Sequence, residues 1–409
     1  MITDLGGGKR PFPNRREDLV DLLIGGPETA ADVAIRLGSE NGWPEIFGLA
    51  AVWSVLPNLR KRLADLRISL SEDLRKQLFG LFQEAYVSST LKARRGVSVC
   101  RHLEENGFPA VIFKGLASIA HLYQGHPSER TIKDVDIVVS ERNLEGTLRV
   151  LENLGMKADH GGDLSAYASF VRNSPGFAGN QAVCVSGNGL GELDVHWSLG
   201  PKTAPEFRVE AIIERSCWVS LFEQQVRVIS PCDGLLLTAH HAVREDFAPD
   251  GMLRDVLDAS AWVNLLERRN EMEECLDRAR LCGIEDPVLA LTEILAAKDG
   301  AAGEFTRSSP RAVALSKLFW FQTANGPLGK DITYLADPYS LWQIARGALS
   351  GWSGYTKYRE AFDSKLTGKP ISLSERIGHL GRQVSHHGFR GWRMIRLLAK
   401  TKAAYQRGI

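Results

Sequence analysis

Between about Glu17 and Gly96, apolar residues fall mainly at the three- and four-residue spacing of amphipathic helices. Within that stretch Ser71 is placed to cap a helix over "SEDLRKQLFGLFQEAYVSS", where Leu74, Leu78, Leu81 and Phe82 make one apolar stripe. A shorter helix is expected over "VSVCRHLEENG", closed by the C-cap pair Asn106 and Gly107.

The periodicity then shortens. "PAVIF" at 109–113 predicts a buried strand, "KGLASIAHLY" a helix, and "DVDIVV" a second strand. The next helix starts at Ser140 as cap, carries Leu144, Leu148, Leu151 and Leu154 on one side, and ends at Gly155. "YASFVR" and "QAVCVS" are strand candidates, and "GNG" at 187–189 is a turn. It leads into "GELDVHWSL", the clearest alternation in the chain. There Leu193, Val195, Trp197 and Leu199 share one face; Glu192, Asp194, His196 and Ser198 share the other. Beyond Pro205 the strands thin out to "QQVRVI", and helices are expected over "SPCDGLLLTAHHAV", "GMLRDVLDASAWVNLLERR" and "DPVLALTEILAA". The pattern is α+β: N-terminal helices over 1–95, a mixed sheet core over 96–204, a helical domain over 205–375 and a basic tail over 376–409.

Composition narrows the class. The 409 residues are enough for a large core divided among more than one domain. Fifty Lys and Arg balance forty-nine Asp and Glu, which argues against a nucleic-acid coat and hence against a sequence-specific nucleic-acid partner. Six cysteines with no CxxC pair do not make a disulfide framework, so a reduced, cytoplasmic protein is expected. The first residues contain no signal-peptide core, and no later run is apolar enough to span a bilayer.

"TIKDVDIVV" at 131–139 carries the chemistry. Asp134 and Asp136 stand two residues apart, so on a strand they project from one face while Val135, Ile137 and Val139 pack on the other. A solvent-facing edge strand would also explain these two alone. Asp194, on the polar face of a separate strand, makes a third carboxylate, and such a group calls for a cation, since close carboxylates repel. Gly115, between a strand and a helix, would let the backbone approach a bound phosphate near helix N–H groups. Lys114 and Arg130 are candidate counter-charges, with a solvated surface role as the alternative.

"FKGLASIAHLY", "ERTIKDVDIVV" and "ELDVHWSL" together resemble the bacterial family of uncharacterised nucleotidyltransferases, within the superfamily related to DNA polymerase β. The resemblance covers about Val111 to Leu265 and implies a nucleotidyltransferase-type mixed sheet. It places Asp134, Asp136 and Asp194 as metal-binding and catalytic carboxylates for two Mg²⁺ ions, with Asp194 as general base. It implies transfer of NMP, AMP by expectation, from an NTP such as ATP to a hydroxyl on a small molecule, a glycan precursor or a peptide. Lys114, Gly115, Ser118 and Arg130 would hold the nucleotide; His196, His241 and Asp258 would support the site or touch substrate. The wider superfamily often has Gly-Ser or Gly-Gly at the turn, whereas this chain has Gly115-Leu116, with Ser118 three positions beyond the glycine. A catalytically idle binding or regulatory protein, and a phosphotransferase on the same metal site, stay open as alternatives.

"GGGKR" near the start lacks a preceding strand and a G-K-[ST] ending, so it is read as a flexible terminus. The tail from Arg376 has eight Lys or Arg and no Asp or Glu, with amphipathic character around "WRMIRLLAK". Packing on the body or on a protein or anionic partner ranks ahead of a membrane surface there.

Overall fold

The computed structural model describes residues 15–158, 192–199, 207–244 and 249–299, with shorter pieces at 163–168 and 181–186 and scattered positions between 309 and 323. The expectations for "GGGKR", the "GNG" turn, most of "YASFVR" and the basic tail lie outside the described residues.

Four short helices open the fold: α1 (Arg15–Ile24), α2 (Pro27–Ser39), α3 (Trp43–Val52) and α4 (Leu56–Asp65). Three of them begin at a proline in the first turn, where the missing N–H costs nothing. Helix α5 (Glu72–Glu105) follows, capped by Ser71, whose hydroxyl accepts from the Leu74 N–H at 3.4 Å. The two helices expected here are one continuous 34-residue helix. It stops where expected, at Asn106 with Gly107 in the left-handed region.

The remaining elements are β1 (Ala110–Phe113), α6 (Lys114–Leu122), β2 (Val135–Val139), α7 (Leu144–Asn153), β3 (Met156–Ala158), β4 (Gln181–Ser186), β5 (Glu192–His196), α8 (Val209–Arg215), β6 (Cys217–Leu221), β7 (Gln224–Val228), α9 (Pro231–Arg244), α10 (Pro249–Arg268), α11 (Met272–Leu281) and α12 (Glu285–Asp299). The strands form one mixed sheet in the order β3-β4-β5-β2-β1-β7-β6. β2 pairs antiparallel with β1 and parallel with β5, and β1 pairs parallel with β7. The hairpin of β6 and β7 thus extends the sheet past position 205, and only its second strand was expected. This is an α+β fold: N-terminal helices, a central mixed sheet and a C-terminal helical bundle.

β1 and β2 are buried along their whole length, as their unbroken apolar runs require of central strands. Helix α5 lies against both. It comes close because Gly96 has no side chain: a Cβ there would fall 2.6 Å from Val135 Cγ1. The valine face of β2 is therefore covered by α5, and the aspartate face is turned toward α6 and the helices after β7. Ser140 does not cap a helix with its side chain. A 3₁₀ turn over Glu141–Asn143 intervenes before α7, and the Ser140 hydroxyl donates to Glu210 Oε1 at 2.8 Å instead.

Candidate active site

The parallel register of β2 and β5 sets Asp136 opposite Asp194 and Val138 opposite His196. Alternation then sends Asp136, Asp194 and His196 out from one face of the sheet. One ligand atom from each of these three lies within 4.8 Å of the others, so two carboxylates and an imidazole converge as a candidate centre for a divalent cation. Asp136 is 2% exposed, Asp194 8% and His196 4%. Asp134, expected inside the strand, sits in the bend just before it and lines the same cavity as Asp136.

His196 Nε2 donates to Asp136 Oδ1 at 3.1 Å, and its ring meets Phe113 edge-on with centroids 4.8 Å apart. Lys114 Nζ donates to the same carboxylate oxygen. Burial alone would raise the Asp136 pKa, but the His196 bond and the Lys114 charge outweigh it and the carboxyl titrates below its usual range. Asp194 accepts no such hydrogen bond among the described residues, and the Lys114 charge offsets only part of what raises it. Burial first, then the charges of Asp136 and Asp134, push its carboxyl up to about 7. That imbalance is the physical case for a cation here. Carboxylate oxygens suit Mg²⁺, and the His196 bond orients Asp136 much as an outer partner of a metal ligand does.

The strand-to-helix turn differs from its sequence reading. The residue in the left-handed region is Lys114, with φ 53°, and not Gly115. Gly115 serves packing: a Cβ there would fall 2.8 Å from Ile132 Cγ2. Leu116 is 1% exposed and belongs to the core rather than to the cavity.

Ser118 and Arg130 line the cavity, yet both are engaged by Asp258. Ser118 Oγ donates to Asp258 Oδ2 at 3.0 Å, and Arg130 Nε donates to Asp258 Oδ2 at 2.8 Å. Tyr123 adds a bond to Oδ1 at 2.8 Å, and Arg130 Nη1 also donates to the Thr131 carbonyl at 2.5 Å. Arg130 at 2% exposure is thus the cation of a buried network, not a solvated surface residue. One turn earlier on α10, Asp255 accepts from His241 Nδ1 at 2.7 Å, and the imidazole first and nearby arginines next hold it well below the usual carboxylate range against burial.

The cavity lined by Lys114, Ser118, Arg130, Asp134, Asp136 and Asp258 has a volume of about 100 Å³; Asp194 and His196 stand beside Asp136 but do not line it. Arg254, Lys133 and Asp255 also line it, and none of the three is among the residues the sequence motifs single out. A usable signal was present: Arg254, Asp255 and Asp258 fall within little more than one helical turn of "LRDVLDAS".

Residues 39–297 match the model of the family described as uncharacterised nucleotidyltransferase. The chain belongs to this family. It sits within the superfamily related to DNA polymerase β, so the carboxylate cluster lies in a fold shared by NTP-using transferases. No curated protein matches the chain. Among solved structures, the crystal structure of ANT(2")-Ia in complex with adenylyl-2"-tobramycin is 16% identical, over 45% of this chain and 92% of its own, with a TM-score of 0.31. The solution structure of the antibiotic-resistance factor ANT(2'')-Ia is 14% identical over 47% and 96%, with a TM-score of 0.28. An antigenic nucleotidyltransferase-like protein from Paracoccidioides brasiliensis is 15% identical over 46% and 94%, with a TM-score of 0.29. Similarity of this degree identifies no substrate for this chain. Among the described residues, no helix is long and apolar enough to cross a membrane.

Proposed function

We propose that this protein is a Mg²⁺-dependent nucleotidyltransferase that moves NMP, AMP by preference, from an NTP to a hydroxyl of a small molecule, glycan precursor or peptide. The observation that carries this reading is the convergence of Asp136, Asp194 and His196 within 4.8 Å. Asp136 and Asp194 would hold the cation, with Asp134 beside them at the cavity wall. A divalent ion bound there supplies charge stabilisation at the attacked phosphate and acidifies the acceptor hydroxyl.

The chain's own groups then divide the work. Asp194, set opposite Asp136 on the neighbouring strand, is placed to take the acceptor proton as the new O–P bond forms and the bond to pyrophosphate breaks. His196 keeps Asp136 oriented through its 3.1 Å bond. Lys114 acts as a stand-in cation on Asp136, free to turn to phosphate once the carboxylate has a metal partner. Asp258 and Arg130 tie α10 to the segment leading to β2.

One observation favours a second reading. Lys114 already neutralises Asp136, as it would in an idle nucleotide-binding protein with no need of metal. Release of pyrophosphate from ATP and Mg²⁺ across a panel of hydroxyl acceptors, with Asp136→Asn as control, separates the two. Metal-dependent release lost in the variant supports transfer. Equal release from the wild type and the variant excludes this site.

A further inference from the structure

Helix α10 brings three charged side chains to the cavity, and two of them are satisfied. Asp258 is held by Arg130, Ser118 and Tyr123, and Asp255 by His241. Arg254 is different. Among the described residues its Nε is buried without a hydrogen-bond partner, and Asp255 Oδ1, with which it forms an ion pair, is 3.7 Å away, too far for a hydrogen bond. The side chain is only 20% exposed, so solvent does little to compensate.

Lys133 lines the same cavity from the segment before β2, and its backbone is pinned by Lys92 Nζ, which donates to its carbonyl. Arg130 lies close enough to Arg254 to lower its affinity for a proton, with burial adding to the effect. A cavity that crowds cations and leaves a guanidinium N–H unpaired is complementary to an anion with several oxygens. A monovalent carboxylate fits poorly, because Asp134 and Asp136 share the space and would repel it. A polyphosphate arrives with its own cation and answers both sets of charges, and the guanidinium fork matches phosphate oxygens two at a time.

We infer that Arg254, assisted by Lys133, grips the phosphate tail of the nucleotide and takes over the role of the hydroxyl missing beside Gly115. The inference rests on the proposed NTP chemistry of this cavity. Ser118 and Arg130 do not fill that role, because Asp258 occupies their donors.

The test uses the full chain and inorganic tripolyphosphate with Mg²⁺, followed by calorimetry. Arg254→Gln is expected to weaken binding at least tenfold and Lys133→Met about threefold or more, with thermal unfolding unchanged, since Asp255 keeps His241. Equal affinity in wild type and Arg254→Gln overturns the inference, whatever the transfer assay shows. Binding that depends on Arg254 in a protein that releases no pyrophosphate upholds the subsite and removes the transferase reading instead. Should Arg254→Gln not fold, Arg254→Lys decides: it keeps the charge and loses the fork, so weaker binding supports the inference and unchanged binding ends it.

Discussion

Asp136 and Asp194 stand opposite each other on two parallel strands, and Lys114 and His196 both bond to the first. The second carries a carboxyl pushed up to about 7 by burial and by the first. The pair is an incomplete electrostatic unit, and most of what can be measured on this protein follows from that.

Asp136→Asn and Asp194→Ala should each lower NMP transfer by a factor of about 10²–10³, the usual cost of losing one group that stabilises transition-state charge. Circular dichroism should show the fold intact, because the valine face of β2 and its packing on α5 are untouched. A steady-state transfer assay checks this, and turnover within a few-fold of wild type would remove either residue from the site.

Asp194 also makes a signed prediction for pH. Its folded pKa of about 7 lies above the ordinary aspartate value of 3.8, so the folded state holds the proton more tightly than the unfolded chain. Stability from this group is complete below the lower value and is lost as pH rises toward 7. In metal-free protein, Asp194→Asn should therefore gain on wild type in melting temperature from pH 4.5 to pH 7.5. The comparison with wild type cancels His121, whose pKa burial lowers and whose effect has the opposite sign. Added Mg²⁺ at pH 7.5 should stabilise wild type and leave the variant unmoved.

Lys114 combines a left-handed backbone, φ 53°, with an ion pair to Asp136. Lys114→Gly and Lys114→Ala lose the same ammonium but differ in backbone tolerance. The glycine variant should be more stable by about 1 kcal/mol, measured by urea unfolding. Both should bind Mn²⁺ more tightly than wild type, because the competing cation has gone. Equal stability of the two variants would mean the conformation at 114 costs nothing.

Arg130 and Asp258 are each 2% exposed and bonded to one another. Removing either partner strands a buried charge, which commonly costs about 3–5 kcal/mol. Arg130→Ala and Asp258→Ala should therefore lose activity through loss of the fold, visible as a lower denaturation midpoint. A stable but inactive Arg130→Ala protein would return that arginine to direct phosphate contact.

How much of this could be read from the chain varies by element. The central strands were legible because β1 and β2 are unbroken apolar runs, and the alternation of β5 put Asp194 and His196 on one face. The pattern predicts two helices, over 71–89 and from Val97, where α5 is continuous, and Gly96 between them permits close approach to Val135. Strand β6 escaped because it is an edge strand with alternate positions exposed, Trp218 among them, its ring lying 4.5 Å from the Arg227 guanidinium. Ser118 was assigned to phosphate because nothing local shows its partner: Asp258 lies 140 positions away. Gly115 was credited with the backbone freedom that Lys114 actually exercises.

The most direct measurement is a crystal structure of the full chain with Mg²⁺ and a non-hydrolysable ATP analogue. Metal density is expected between Asp136 and Asp194, with the Lys114 ammonium displaced from Asp136 and the phosphate tail running toward Arg254. A metal-free pair of carboxylates still capped by Lys114, or a nucleotide seated outside this cavity, would contradict that expectation.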